Sequence, residues 1–255
     1  MQIDRVTFTG ADDSVTPAQL ARVQEDCGCI EWGILLSKSM EGKGTRFPSR
    51  NWLDNLAKRD VYLPMLSGHL CGRWVRELIQ GRFTYREERP DHFALWHRMQ
   101  LNFHGERLEP VEEFYWQLAS CHDQKTFIFQ IDGVNDWLYY APNEPSDDPR
   151  AVQGGAMAHG LNALPLLDNS HGEGILPEQW IPIPHREVLT GYAGGLGPSN
   201  LADELKRIED AVGNGVIWID FETRVRSDDD TRFDLDKCRR CYDIAFPYLR
   251  PQKEE

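Results

Sequence analysis

Short apolar runs alternate along the chain with stretches in which apolar residues recur at helical spacing. The apolar runs predict eight β-strands. These strands begin near Ile3, Cys29, Val61, Arg98, Lys125, Asn162, Val188 and Gly215. Successive strands start 26 to 37 residues apart, which is enough chain for one strand and one crossover helix. This alternation predicts a parallel sheet that is covered by helices.

Eight strand–helix units favour closure of the sheet into a (β/α)8 TIM barrel, because closure leaves no unpaired strand edge. The predicted fold class is therefore α/β, with residues 1–250 as a single domain and residues 251–255 as a frayed tail. Two irregularities are expected. An extra helix lies within residues 82–97, before strand 4, and a long loop over residues 136–150 follows strand 5.

The composition restricts the partners of the protein. Its 255 residues include 28 Lys and Arg and 41 Asp and Glu, a formal net charge of −13. This sign argues against a nucleic-acid polymer or an anionic membrane as partner, although a local pocket for one small anion remains compatible with it. No apolar stretch is long enough to span a membrane, and the first residues lack a secretory layout. We expect a cytoplasmic protein whose six cysteines are buried or unused thiols.

Polar residues stand at or just after the end of each predicted strand. In a barrel of this class these positions form one mouth, where catalytic and binding groups lie. The candidates are Thr9, Lys38, Arg46, His69, Arg73, Gln100, Asn102, His104, Gln130, Asp168, Asp220 and Glu222. Gly194 and Gly195 follow strand 7 directly before a helix, where glycine lets backbone N–H groups approach an anion. The sequence thus predicts a polar mouth that includes an oxyanion site.

Five segments in the same order along the chain carry a resemblance to the phosphoribosylanthranilate isomerase family. They are Ser39 with Arg46–Ser49, Gln100–Glu106, Leu166–Asp168 with Gly172–Gly174, Ala193–Asn200 and Ile219–Arg226. These segments are similar to the family's S-P-R-Y-V-S, Q-L-H-G-D/E, L-L-D with G-G-x-G, A-G-G-L-x-P-x-N and V-D-V-S-S-G-V-E. The resemblance spans nearly the whole chain and implies the same barrel fold.

The resemblance also implies a reaction and roles for particular residues. The family catalyses an Amadori rearrangement, in which an acid protonates the ribose ring oxygen and a base removes a proton from the adjacent carbon, without metal or cofactor. Asp168 would be the acid, and Arg46 would contact the anthranilate carboxylate. The phosphate site would consist of Gly194, Gly195, Thr223 and Arg224. The remaining polar residues of the mouth would bind substrate.

The base is the point at which this chain departs from the family. Thr9 stands where the family has a cysteine at the end of strand 1, and a threonine hydroxyl is too weak a base to act unaided. His69 is the first candidate for a replacement, since an imidazole with an ordinary pKa of ~6.5 suits proton abstraction near neutrality. His104 and Glu222 are the others. The expected protein is a divergent, isomerase-like or lyase-like enzyme acting on a small sugar-phosphate or nucleotide-like anion.

Two other functions remain open at this stage. A metal-dependent hydrolase would hold one divalent ion between His69, His104, Asp168 and Glu222, although no tight spacing of histidines supports it. A non-catalytic binder would keep the pocket without the chemistry, as the missing cysteine suggests. The sequence does not indicate the oligomeric state.

Overall fold

The structure is a computed structural model of the chain. It describes residues 1–58, 63–103, 112–121, 125–140, 156, 160–168, 174–184 and 187–250. The tail predicted at 251–255 and the start of strand 3 predicted near Val61 lie outside these residues.

Eight parallel strands pair in chain order and close into a barrel, because β8 pairs with β1. They are β1 Gln2–Thr9, β2 Ile30–Ser37, β3 Leu66–Cys71, β4 Arg98–Leu101, β5 Thr126–Ile131, β6 Ala163–Leu167, β7 Thr190–Tyr192 and β8 Val216–Phe221. The (β/α)8 barrel predicted from the alternation is confirmed.

Helices lie between the strands in the described part of the chain. They are α1 Pro17–Asp26, α2 Arg50–Leu56, α3 Arg73–Ile79, α4 Tyr85–Glu88, α5 Pro90–Leu95, α6 Glu112–Ala119, α7 Leu201–Val212 and α8 Leu235–Ala245. Side chains of Thr16 and Asp234 mark the starts of two of these helices. Thr16 caps α1 by accepting a hydrogen bond from the backbone N–H of Gln19, and Asp234 caps α8 in the same way. None of these helices is long and apolar enough to cross a membrane.

The extra helical segment that the sequence predicts before β4 is present, whereas residues 141–150 of the loop predicted after β5 lie outside the described residues. The extra helical segment before β4 forms two short helices, α4 and α5, and α5 begins at Pro90. Proline lacks a backbone N–H and has a fixed φ, so it starts a new helix rather than continuing the old one. The connection between β5 and β6 runs from residue 132 to residue 162 and opens with a short 3-10 helix at Asp136–Leu138.

Every second side chain of the barrel strands faces the interior, as the period of a strand requires. Near the amino ends of the strands, this interior holds a buried ion pair between Glu31 of β2 and Arg98 of β4. The Arg98 Nε donates to Glu31 Oε2 over 2.8 Å, and the guanidinium lies 4.5 Å from the ring centre of Trp218. Thr7 adds a hydrogen bond to the same carboxylate. This ion pair fills the barrel interior near the amino ends of the strands.

Glycines make room for large inward side chains at two places. A Cβ on Gly191 would lie 2.3 Å from the indole of Trp218. A Cβ on Gly33 would lie 2.1 Å from Thr9 Oγ1 and 2.9 Å from His69 Nε2. Large inward side chains therefore fill the barrel interior beside glycines, which leave room for them. This filled layer ends just below the carboxyl ends of the strands.

The buried ion pair gives the first prediction. Arg98→Met removes the main partner of the buried Glu31 carboxylate and leaves the Thr7 hydroxyl and, at 3.6 Å, the Arg5 guanidinium, so the free energy of unfolding in urea should fall by about 3–5 kcal/mol. Arg98 also keeps the pKa of Glu31 low, against the opposing effect of burial.

The matched control is the double variant Glu31→Gln/Arg98→Met, which removes the charge as well. It should recover most of the lost stability. If Arg98→Met and the double variant have the same free energy of unfolding, Glu31 and Arg98 do not stabilise the fold as a pair.

Candidate functional site

A cavity of about 240 Å³ opens at the carboxyl ends of the strands. Its wall includes eleven of the residues predicted as site residues, drawn from β4, β5 and β8 and from the loops after β2, β4, β6, β7 and β8. These are Arg46, Gln100, Asn102, Gln130, Asp168, Gly194, Gly195, Asp220, Glu222, Thr223 and Arg224. The barrel therefore brings the predicted acid, amide and glycine groups to one place.

Asp168 directly follows β6 and lies beside the glycine turn after β7. One of its carboxylate oxygens is 3.7 Å from the point where a Cβ on Gly194 would stand. Gln130, at the end of β5, donates a hydrogen bond of 2.9 Å from its Nε2 to the other oxygen. This hydrogen bond fixes the orientation of a carboxylate that faces both the cavity and the glycine turn.

Glu222 is the second carboxylate of the mouth. It comes two residues after Asp220 and is held by the guanidinium of Arg46, with 2.9 Å between Arg46 Nη1 and Glu222 Oε1. Burial raises the pKa of Glu222 above its ordinary value, Arg46 offsets part of that rise, and the nearby Asp168 adds to it. A carboxyl group in these surroundings exchanges protons closer to neutrality than a solvated glutamate does.

Arg46 is held in a strained backbone conformation. Its φ is +75°, which a side chain with a Cβ rarely adopts. The backbone N–H donates to Asp12 over 2.9 Å, and the guanidinium is also bonded to Asp230 over 2.9 Å. The carboxylates of Glu222 and Asp230 thus neutralise the Arg46 guanidinium. The fixed conformation of Arg46 in turn positions Glu222.

Asp220 is the third carboxyl group of the cavity wall and is buried, with 7% of its surface exposed. The Thr9 hydroxyl donates a hydrogen bond of 2.7 Å to it. Burial raises the pKa of Asp220 well above its ordinary value, which the bond from Thr9 opposes and the negative Glu222 reinforces. Thr9 itself lies beneath the cavity and acts on it through Asp220.

Residues of two neighbouring loops, after β7 and after β8, line the cavity with backbone N–H groups that no described hydrogen bond uses. Gly194 and Gly195 have φ values of +118° and +62°, and no hydrogen bond among the described residues uses their N–H groups. The same holds for the N–H groups of Thr223 and Arg224 within the described chain. Asn200 holds the first loop in place by donating to the carbonyl of Gly195 and accepting from Gly197. Such a set of amides suits an oxyanion.

Arg224 adds a positive charge at the rim. Its side chain is exposed and lies over Gly197, where a Cβ would come within 2.5 Å of the Arg224 Cβ. No ion pair to this guanidinium occurs in the part of the chain that the structure describes. Arg224 thus remains available to a ligand, whereas Arg46 is already neutralised.

His69 does not reach the cavity. Its ring is 1% exposed inside β3, and neither ring nitrogen has a hydrogen-bond partner among the described residues. Burial lowers the pKa of His69 to about 3, so the imidazole stays neutral. Its inward position in the strand places it one layer below the mouth, which explains why a residue near a strand end does not line the cavity.

Lys38 and Arg73 also lie away from the cavity. Both bind the same carboxylate on the outer flank, because Arg73 Nε is 2.7 Å and Lys38 Nζ is 3.4 Å from oxygens of Glu77. The Lys38 ammonium also lies over the ring of Trp74. These cations stabilise the packing of α3 rather than a ligand. His104 lies outside the described residues.

Cys71 is a cavity residue that the sequence analysis did not select. It ends β3, two residues after His69, and its sulfur accepts a hydrogen bond from Asn102 Nδ2 over 3.4 Å. Burial raises the pKa of the Cys71 thiol to about 12, so it contributes as a neutral thiol. The alternation of side chains along a strand could have identified Cys71 as a cavity residue. It places Cys71 on the same inward face as His69, one layer nearer the mouth.

His69 is too deep for the metal-binding alternative, and His104, another ligand of that alternative, lies outside the described residues. Within the described chain, no three His, Cys, Asp or Glu side chains are grouped as a metal site. Asp168 and Glu222 face the cavity, but His69 is enclosed below it. All six cysteines are free thiols, five of them buried.

The glycine turn yields a second prediction. A Cβ on Gly195 would lie 2.7 Å from the Gly174 carbonyl oxygen and from the Leu176 nitrogen, both of which are backbone atoms. Gly195→Ala should therefore cost both left-handed strain and steric overlap. Gly213→Ala is the matched control, because Gly213 has a φ of +64° with open space around it.

We expect Gly213→Ala to lower the free energy of unfolding by about 1–2 kcal/mol from strain alone. Gly195→Ala should lower it by at least about 1 kcal/mol more, because it overpacks the loop. Equal losses in urea denaturation would show that the loops after β6 and β7 do not pack as described.

The chain matches no protein-family model, and no curated protein matches it in sequence. Among solved structures it is similar to phosphoribosyl anthranilate isomerase from Thermus thermophilus, with a TM-score of 0.52 and 15% identity. The alignment covers 95% of this chain and 98% of that chain. What this chain shares with the isomerase, at that level of identity, is the (β/α)8 fold.

Proposed function

We propose that this protein is an isomerase-like enzyme that performs acid–base chemistry on a small phosphorylated sugar. The observation that carries the proposal is the meeting of two chemistries in one cavity. The carboxylates of Asp168 and Glu222 line the same wall as Gly194 and Gly195, whose backbone N–H groups make no hydrogen bond among the described residues. An anion site next to a pair of proton-transfer groups is what a rearrangement of a sugar phosphate requires.

The phosphate would bind between the loops after β7 and β8. Four backbone N–H groups, of Gly194, Gly195, Thr223 and Arg224, have no partner among the described residues, and the Arg224 guanidinium is unpaired there too. Amide dipoles and one cation stabilise a phosphate without needing a basic surface. This explains how a chain of net charge −13 would select a small anion and reject an extended polyanion.

Asp168 and Glu222 would divide the proton transfers. Asp168 lies beside the anion site and would act as the acid that protonates the sugar ring oxygen. Glu222 would act as the base, because its raised pKa brings it towards neutrality and Arg46 holds it in a fixed orientation. His69 is buried and neutral, so it does not take this role.

The ligand class follows from the rest of the wall. Gln100 and Asn102 present side-chain amides to the cavity, and Gln100 Nε2 donates to Asn102 Oδ1 over 2.7 Å. Amide and carboxyl groups bind sugar hydroxyls by accepting and donating hydrogen bonds. Arg46 is already bound to Glu222 and Asp230, so the anthranilate contact that the resemblance implies for it is not part of this proposal.

A non-catalytic binder is the second candidate. Thr9 occupies the position of the family's cysteine base, and its hydroxyl is bonded to Asp220. A protein that had lost its base would keep the anion site and lose turnover. Binding and proton transfer are therefore tested separately.

The binding prediction concerns Arg224. Inorganic phosphate and ribose 5-phosphate should raise the melting temperature of the protein, because each binds only the folded state. Arg224→Ala should reduce that rise. Arg73→Ala removes an arginine outside the cavity and should leave the rise unchanged. No rise with either compound would contradict the anion site.

The catalytic prediction concerns Glu222. In deuterated water, the enzyme should exchange the hydrogen on C2 of ribose 5-phosphate, as measured by mass spectrometry. Glu222→Gln should slow this exchange by about 10²–10⁴-fold, the usual effect of losing a general base, while phosphate still raises the melting temperature. The wild-type rate should increase with pH as Glu222 ionises. Phosphate stabilisation without any exchange would favour the binder.

A further inference from the structure

The cavity contains more carboxyl groups than its cations can neutralise. Asp168, Asp220 and Glu222 line a space of about 240 Å³. Glu222 is paired with Arg46, and Asp168 is bonded by the Gln130 amide. Asp220 is buried as well, with 7% of its surface exposed, and no ion pair to it occurs within the described chain. Neighbouring carboxyl groups of this kind rarely all ionise, because like charges at short range repel.

The groups around Asp220 add negative charge. Glu222 lies two residues further along the chain, just past the end of β8, and Glu31 lies below on β2. Arg98 on β4 is the nearest cation beneath, but it is bonded to Glu31. The other neighbours are uncharged, because Thr9 contributes a hydroxyl and the buried His69 ring is neutral. An ionised Asp220 would thus stand between two carboxylates without a cation of its own.

We propose that Asp220 holds a proton in the ligand-free protein and uses it to donate a hydrogen bond to a carbonyl or anionic oxygen of the ligand at the cavity floor. A protonated carboxyl group has one donor and retains acceptor capacity. The Thr9 hydroxyl can donate to the unprotonated oxygen of that group, which leaves the proton free for the ligand. Asp220 is thereby a specificity residue, which favours an oxygen acceptor over an ammonium group at this position.

The raised pKa that burial gives Asp220 agrees with this assignment. Gly33 contributes from below, because its missing Cβ leaves the space in which Thr9 Oγ1 and His69 Nε2 lie. The floor of the cavity is consequently polar but uncharged. The inference concerns the cavity of the proposed function, yet it rests on the carboxyl cluster and not on the reaction.

The test is carbon NMR of the wild-type protein with ¹³C-labelled aspartate carboxyl groups, titrated with acid and base. Asp220 should give a resonance that is still protonated above the ordinary aspartate pKa of ~3.9. That resonance should be missing in Asp220→Asn, whereas a late resonance from Asp136, whose pKa burial also raises, should remain. If Asp220→Asn removes a resonance that titrates at or below the ordinary pKa, or removes none of the late ones, the proposal is wrong.

A second variant keeps the test valid if Asp220→Asn does not fold. Thr9→Val removes the hydroxyl that favours the ionised form, so the midpoint of the same resonance should shift to higher pH. A shift to lower pH would contradict the proposal. Asp12→Asn is the control, because Asp12 is bonded to Arg226 and its pKa is lowered despite its burial. It should remove a resonance that titrates early and leave the late one in place.

Stability gives an independent measure with a defined sign. The folded pKa of Asp220 lies above its unfolded value, so ionisation destabilises the folded state as pH rises through that interval. The melting temperature of Asp220→Asn relative to the wild type should therefore increase with pH from about pH 4 upwards. Asp12→Asn should show the reverse, with its deficit shrinking as the pH falls towards the folded pKa of Asp12. The opposite slope for Asp220→Asn would overturn the proposal.

These outcomes separate the two proposals. A protonated Asp220 in a protein that neither binds ribose 5-phosphate nor exchanges its hydrogen would end the proposed function alone. An ionised Asp220 in a protein that does both would end this inference alone.

Discussion

The alternation of side chains along eight closed parallel strands is the constraint on which the site depends. Closure gives each strand one inward face, and parallel pairing brings all carboxyl ends to the same rim. The inward position after β6 is Asp168, and those at and just after the end of β8 are Asp220 and Glu222. The buried pair of Glu31 and Arg98 fills the interior below them. The cavity is what remains between this filled layer and the loops.

Charge within the cavity follows from how each carboxyl group is held. Glu222 has a guanidinium partner, Asp168 has an amide partner, and Asp220 has a hydroxyl partner. The three carboxyl groups therefore stand in different surroundings, which suits them to different tasks. The proposed anion site lies to one side, at Gly194 and Gly195, where backbone amides would provide positive potential without a fixed charge.

The sequence was sufficient to predict the barrel and most of the cavity wall, since strand period and strand order decide which residues share the rim. It failed where depth and side-chain pairing decide the outcome. His69 is one layer too deep, while Cys71, two residues later, reaches the cavity. Lys38 and Arg73 are attracted to Glu77 on the outer flank, and a linear pattern carries no signal for such a partner. The strained conformation of Arg46 likewise depends on contacts that are distant in sequence.

The central claim is that one cavity binds a phosphate and presents it to a pair of carboxyl groups. A crystal structure of the protein with ribose 5-phosphate tests this most directly. The phosphate should lie within hydrogen-bond distance of the Gly194 and Gly195 amides, with the sugar between Asp168 and Glu222. A phosphate bound elsewhere, or a sugar whose carbons face neither carboxyl group, would contradict the account.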